Sequence, residues 1–284
     1  MMKYFSLLRE AIVQWQQDDM SRMAAALAYF TAISIAPLSL LIILIAGFLW
    51  GGERAVRMEL MHYMQTAIGP EGAHFVSMAI ENADRPTFGS VAGIISAGAL
   101  LWGSTNVFAQ LQYALNKIWN VTNNRNILTT SLKQRSVSFA VVLVIIFLLL
   151  VSVALSTAAQ TMLRSVRASL PGVDWLWQVT NFVVSILFST MLFASIFKVL
   201  PDIDIPWSDV WQGAVVTACL FEVGRFLLSY YLAQVSSFYG VAGSMLAFLI
   251  WVYFSAQIIF LGGEFTQVYS RRYGSLSHEA LSPD

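Results

Sequence analysis

From Ala24 to Trp50 the chain passes 27 residues without an acidic or basic side chain. A helix of about 20 apolar residues is long enough to cross the hydrocarbon core of a bilayer, so this run reads as a membrane span. The same pattern recurs along the chain. It predicts six spans, at about 24–50, 88–111, 137–160, 175–199, 207–233 and 241–268. Charged residues make up 11% of the sequence and hydrophobic ones 57%, whereas a soluble domain carries about 25% charged residues. The expected fold is therefore all-α: one integral membrane domain with six transmembrane helices, an N-terminal amphipathic helix and a short helical outer segment over 51–87. Sixteen basic residues balance sixteen acidic ones, which removes the net positive footprint of a nucleic-acid binder.

Several local features refine this outline. Pro37 lies inside the first span, where the loss of one backbone hydrogen bond predicts a kink. Gly89, Gly93, Gly98 and Gly103 fall in or beside the second span and would let a neighbouring backbone approach. The third span, which contains FAVVLVIIFLLLVSVAL, is apolar on every side and reads as a lipid-facing wall. Cys219 sits in an apolar run and is expected to be a small buried side chain. At the N-terminus, Tyr4, Phe5, Leu8, Ala11, Ile12 and Trp15 recur at helical spacing, which fits an amphipathic helix in the interface or packed on the body of the protein. Arg9 and Glu10 break the apolar stretch that a removable signal peptide needs.

With both termini inside, ten basic residues, including Lys117, Lys198, Arg271 and Arg272, lie on the inner side against five outside. The positive-inside rule favours that orientation. The outer segment 51–87 mixes carboxylates, arginines and two histidines with Val56, Leu60, Met64 and Ile68 at helical spacing. It reads as one or two short helices resting on the outer surface.

Few residues are candidates for chemistry. Glu222 and Arg225 are three apart on the fifth span and so lie on one face. Ionisable groups at such depth face a bundle interior or a wet cavity. They are either an intrahelix pair that neutralises itself or a contact for a substrate, with Arg225 suited to phosphate oxygens. Glu264 follows Gly262 and Gly263 on the sixth span, and these glycines leave room for a helix or a ligand. Tyr253, Gln257 and Glu264 are spaced four and seven apart, as along one helical face. Glu264 either continues that polar stripe into a cavity or reaches the interface.

Two Glu-x-x-His patterns, Glu59 with His62 and Glu71 with His74, carry the ligand types of a di-iron site, but Gly69, Pro70 and Gly72 are expected to interrupt a long helix there. The Asp202-x-Asp204 pair between Pro201 and Pro206 reads as a turn, with Asp209 in the first turn of the next helix. Walker, GxGxxG, HExxH and GxSxG signatures are absent from the sequence. No metal or cofactor is expected, and ATP-driven transport by this chain alone is disfavoured.

The segments RMAAALAYFTAISIAPLSLLI, GALLWGSTNVFAQLQYALNKIWNV, FKVLPDIDIPWSDVWQGA and SSFYGVAGSMLAFLIWVYFSAQIIFLGGEFTQVY resemble the YihY/BrkB family of bacterial inner-membrane proteins. The resemblance runs from about Asp19 to Tyr273. It implies six helices with cytoplasmic ends, and it carries over no catalytic residue. Family members have borne the label ribonuclease BN, now regarded as misassigned; three histidines, at 62, 74 and 278, are a poor basis for a hydrolytic metal site.

The expected function is a non-enzymatic transporter or translocation factor of the inner membrane. Its partners are membrane lipids, and its substrate a lipid or other amphipathic anion in envelope biogenesis. The first, second, fifth and sixth spans would enclose the cavity: Arg225 holds a headgroup phosphate, Glu222 orients it, and Glu264, Gln257 and Tyr253 line the path. The alternatives are a scaffold for envelope-assembly proteins and a membrane-embedded hydrolase.

Overall fold

The computed structural model describes residues 2–50, 53–82, 106–121, 174–239 and 243–276. Among the described residues the fold is helical throughout. The helices are α1 (Met2–Gln17), α2 (Met20–Trp50), α3 (Glu53–Asn82), α4 (106–118), α5 (Asp174–Val199), α6 (Trp207–Tyr239) and α7 (Gly243–Arg272). Three of them are long and apolar enough to cross a membrane, at Phe182–Val199, Trp207–Leu232 and Gly243–Arg272. The expected third span, the glycines at 89, 93, 98 and 103, and most of the second span lie outside the described residues. α2 is continuous through position 37.

The outward sides of α5 and α6 show why water is not their solvent. Phe226 is 78% exposed and Tyr230 74%, and Val223, Leu227 and Tyr231 extend the same apolar surface. A contiguous face of this kind is rare on soluble monomers and suits acyl chains. Cys219 belongs to this outward side: it is exposed, which corrects the expectation of burial. An apolar run does not distinguish a core position from a lipid-facing one.

α7 is the centre of the assembly. Its Phe260 and Ala256 join Leu27, Leu115, Phe197 and Ala218 in the main core. Its Phe248 and Val252 meet Ala28, Ile35, Leu60 and Val76 in a second cluster, and its Phe265 and Val268 meet Leu7 and Ala11 of α1 in a third. In a bilayer no hydrophobic driving force pulls helices together, so close packing and hydrogen bonds must do so. The tightest packing joins α6 to α7. A Cβ at Gly213 would overlap the Thr266 hydroxyl and lie 2.8 Å from its Cβ, and a Cβ at Gly262 would overlap the Thr217 hydroxyl and lie 2.9 Å from its Cβ. Each threonine thus fills the space of the other helix's glycine. Each also donates its hydroxyl to its own helix at 2.7 Å, Thr217 to Gly213 O and Thr266 to Gly262 O, so no polar atom is left open at the contact. Gly263 does the same for α4, placing Ile118 Cδ1 3.1 Å from where its Cβ would stand.

One expectation about the periphery is corrected. The segment after the first span is not a set of short surface helices. α3 is a single helix of 30 residues with Pro70 inside it, so Gly69, Pro70 and Gly72 do not interrupt it. Leu60, Ala73 and Val76 are buried, and Phe75 meets Phe248 of α7 at a ring separation of 5.2 Å. Packing against α2 and α7 outweighs the local cost of the proline. α1 packs on the body of the protein, one of its two expected placements: it buries Leu7 and Ala11 and leaves Phe5 and Ile12 exposed. Leu8 packs beside Leu7 and Ala11 in the third cluster and Trp15 against the main core, so part of the predicted stripe meets the protein and part does not. A Glu10–Arg272 ion pair at 2.7 Å completes that contact.

The 200–206 connection forms the expected turn, and α4 holds it. Asn116 Nδ2 donates to Asp202 Oδ2 at 2.9 Å, its Oδ1 accepts from Asp202 N at 2.8 Å, and Gln112 Nε2 adds a bond to Oδ2 at 3.3 Å. Lys198 pairs with Asp204 and donates to Ile205 O at 2.7 Å. Asn116 is buried, so Asn116→Ala leaves the Asp202 amide without that acceptor and should cost about 1–3 kcal/mol. Thermal unfolding of the purified protein checks this, with a midpoint several degrees lower expected.

Candidate functional site

Glu222 and Arg225 face each other one turn apart on α6, as their spacing predicts. Arg225 Nε and Nη2 both donate to Glu222 Oε2, at 3.2 and 2.8 Å. The other carboxylate oxygen, Oε1, accepts from Ser185 Oγ of α5 at 2.6 Å. Phe193 of α5, edge-on to Phe221 with centroids 5.4 Å apart, holds the two helices in register at this level. The two charges differ in access: 9% of the Glu222 side chain is exposed against 37% of Arg225. Glu222 is therefore the anchor and Arg225 the presented group.

Arg225 is presented to a groove of about 310 Å³ between α6 and α7. Phe221, Trp251, Phe254, Ser255 and Ile258 are among its walls, and Arg225 is the one charged residue among them. Gly224 forms part of the lining, where its missing side chain admits the Ile258 Cδ1 methyl. The chemistry on offer is a single fixed cation at the rim of an apolar slot, matched to an anionic head on an apolar body.

The structure does not bring all five predicted residues to this groove. Tyr253 packs against the main and second cores, Gln257 is half-buried, and Glu264 is fully buried. From Ile258 to Glu264 the helix advances about 9 Å, so the expected single cavity resolves into the Arg225 groove and a separate buried carboxyl near the end of α7. His62 and His74 of the Glu-x-x-His patterns are exposed. Among the described residues no group of three or more His, Cys, Asp and Glu side chains is placed to hold a metal.

The chain has relatives among known membrane proteins. The profile of the family described as Virulence factor BrkB matches residues 11–283. The chain belongs to the BrkB family. Relatives of this BrkB-family protein include the UPF0761 membrane protein of Cronobacter sakazakii (strain ATCC BAA-894), 26% identical over 89% of this chain and 85% of that one. Another is YfkH of Bacillus subtilis (strain 168), a protein named as ribonuclease-like, 24% identical over 94% of this chain and 96% of its own length. The UPF0761 membrane protein of Psychrobacter sp. (strain PRwf-1) is 25% identical over 92% of this chain, which spans 48% of that relative's length. No solved structure matches the chain.

Sequence reasoning missed the surroundings of three residues of the BrkB-family protein. Ser185 lies 37 positions before its partner Glu222, and nothing in a serine within an apolar helix announces a carboxylate neighbour. Asp209 stands in the first turn of α6 as expected, and it is buried there by partners that the spacing does not show: its Oδ2 accepts from Ser270 Oγ at 2.7 Å, Ser275 Oγ at 2.9 Å and Ser275 N at 3.0 Å. Asp18 stands at the two-residue corner between α1 and α2. Its signal was an adjacent pair of acids after an amphipathic helix.

Proposed function

We propose that this BrkB-family protein is a six-span transporter or translocation factor of the bacterial inner membrane, non-enzymatic, which moves a lipid or other amphipathic anion. One observation carries the reading: Arg225, braced by Glu222 and Ser185, opens onto an apolar groove between two membrane-length helices. A bare arginine at mid-membrane costs about 2.5–3.5 kcal/mol on insertion scales. Neutralising it would take only Glu222; presenting it at the edge of a slot adds access to a headgroup. The orientation with both termini in the cytoplasm draws support from the end of the bundle where α1 meets the end of α7. There Lys117, Lys198, Arg271 and Arg272 gather on elements that contact one another, as the positive-inside rule expects of a cytoplasmic face.

The test is translocation of a fluorescent anionic phospholipid in liposomes containing the purified protein. A charge-assisted hydrogen bond contributes about 1.5–3 kcal/mol, so Arg225→Ala should slow transfer by about tenfold to a hundredfold. Arg225→Lys should fall between, because the charge persists and the planar fork does not. Full translocation by a normally inserted Arg225→Ala protein refutes the reading.

A further inference from the structure

Glu264 and Gln267 are buried, 0% and 1% exposed, one turn apart on the face of α7 that also carries Gly263. The end of α4 covers that face. Ile118 Cδ1 lies 3.1 Å from where a Cβ at Gly263 would stand, and Gln267 Nε2 donates to Ile118 O at 2.7 Å. Turning the Gln267 amide round would set its Oε1 against Ile118 O, acceptor on acceptor, so the bond fixes which atom faces away. Three oxygens, Glu264 Oε1 and Oε2 and Gln267 Oε1, are thereby closed off from solvent, and no donor among the described residues reaches them.

The helix that covers them adds to the negative potential. α4 closes in a Schellman cap: Asn120 is left-handed with φ of 53°, Val121 N donates to Asn116 O at 2.9 Å and Asn120 N to Lys117 O at 3.0 Å. The cap leaves Ile118 O over, and Gln267 takes it. A helix C-terminus carries about half a negative charge, so a carboxylate, an amide oxygen and a helix end of one sign converge. The basic side chains of these elements do not answer them. Lys117 donates its ammonium to the Asp18 backbone carbonyl, and Arg271, one turn beyond Gln267, is exposed.

We propose that Glu264 and Gln267 form a binding site for a sodium or potassium ion at the C-terminal end of α4, which ties α4 to α7. Burying a charge without a partner is among the costliest arrangements in a protein, and the number of bare oxygens selects the partner. A proton makes one of the three a donor to a second and leaves the third bare. A water donates to two and leaves the charge unbalanced. A divalent ion would leave net positive charge beside a single carboxylate, and Ca²⁺ takes about six to eight oxygens. An alkali cation lies against all three oxygens and balances one carboxylate with one charge, with water filling its remaining positions. Helix C-terminal ends coordinate Na⁺ in this manner inside transporters. The site goes beyond the groove at Arg225 and does not depend on it.

The test uses the full chain in lipid nanodiscs, in choline chloride at fixed ionic strength, titrated with radiolabelled sodium and separately with radiolabelled rubidium as a stand-in for potassium. Wild type should bind at least one of them saturably, one ion per chain, and its unfolding midpoint should rise with the same ion. Competition between unlabelled sodium and potassium tells which is preferred. Glu264→Gln should bind at least tenfold more weakly and lose the rise. Gln267→Met, which removes the amide oxygen and keeps the carboxylate, should weaken binding severalfold. Arg225→Ala should bind as wild type does even where it stops lipid transfer. The site is disproved by wild type that binds neither ion saturably, a result that leaves a proton or a water as the occupant and stands whether or not the variants fold. Undiminished binding by Glu264→Gln also disproves it, as does displacement of the bound ion by calcium at lower concentrations than by sodium or potassium.

Discussion

Gly262→Val should abolish the folded protein, and Gly262→Ala should weaken it severely. The first added carbon already overlaps the Thr217 hydroxyl and stands 2.9 Å from its Cβ. Overpacking a well-filled contact costs about 1–3 kcal/mol where side chains can shift. Here relief is poor. Thr217 Cβ is fixed to the helix backbone, and its hydroxyl is held on Gly213 O at 2.7 Å, so α6 and α7 must separate. That separation would also pull Thr266 off Gly213 and open the Arg225 groove. The discriminating measurement is a double-mutant cycle read by thermal unfolding and by the monodisperse fraction after solubilisation. Thr217→Gly alone should destabilise by leaving a void, whereas Thr217→Gly with Gly262→Ala should recover much of the loss, giving a favourable coupling of about 1–3 kcal/mol. An unchanged midpoint for Gly262→Ala would show that the helices are not in this register.

That contact illustrates what a membrane sequence discloses. The glycines at 262 and 263 announced a close approach, since a missing side chain in an apolar helix has few other uses. Their partners, Thr217 on one side and Leu115 and Ile118 on the other, did not show, because nothing local in an apolar helix encodes which neighbour it meets. The same division holds at the site. Glu222 with Arg225 was legible from a spacing of three on one helix, an interaction set by helical geometry alone. Ser185 was not, nor was the separation of Glu264 from the groove, because the Tyr253–Gln257–Glu264 stripe specifies a face of α7 and not which elements cover each level of it. For α1 the helix and its packing on the body were legible, but not the exact face: Ala11, Leu8 and Trp15 of the apolar stripe pack inward, Leu7 joins them against Phe265 and Val268, and Phe5 and Ile12 stay outside.

Asp209→Ala should release the end of α7. The Asp209 carboxylate is 3% exposed and gathers Ser270 Oγ, Ser275 Oγ and Ser275 N on one oxygen. Gly274 makes this possible, since a Cβ there would meet the carboxylate carbon at 2.6 Å. The bonds tie the last turn of α7 and the residues after it to the first turn of α6, 61 positions away at Ser270. Removing the acceptor strands three donors, two of them on a segment that must then move into water to be satisfied. Leaving a buried group unpaired costs about 1–3 kcal/mol, and more where a charged partner is lost, so a loss of about 3 kcal/mol is expected for Asp209→Ala. Asp209→Asn should lose less, because its amide oxygen still accepts. Limited trypsin digestion reads the release directly, since Arg271 and Arg272 are exposed beside the tie and cleavage there is slow while the end of α7 stays helical. Asp209→Ala should be cut at least about tenfold faster than wild type under conditions where a destabilised core variant such as Asn116→Ala is not, which separates local opening from global unfolding. Equal rates for Asp209→Ala and wild type would mean that the serines find other partners and that helix packing alone secures the end of α7.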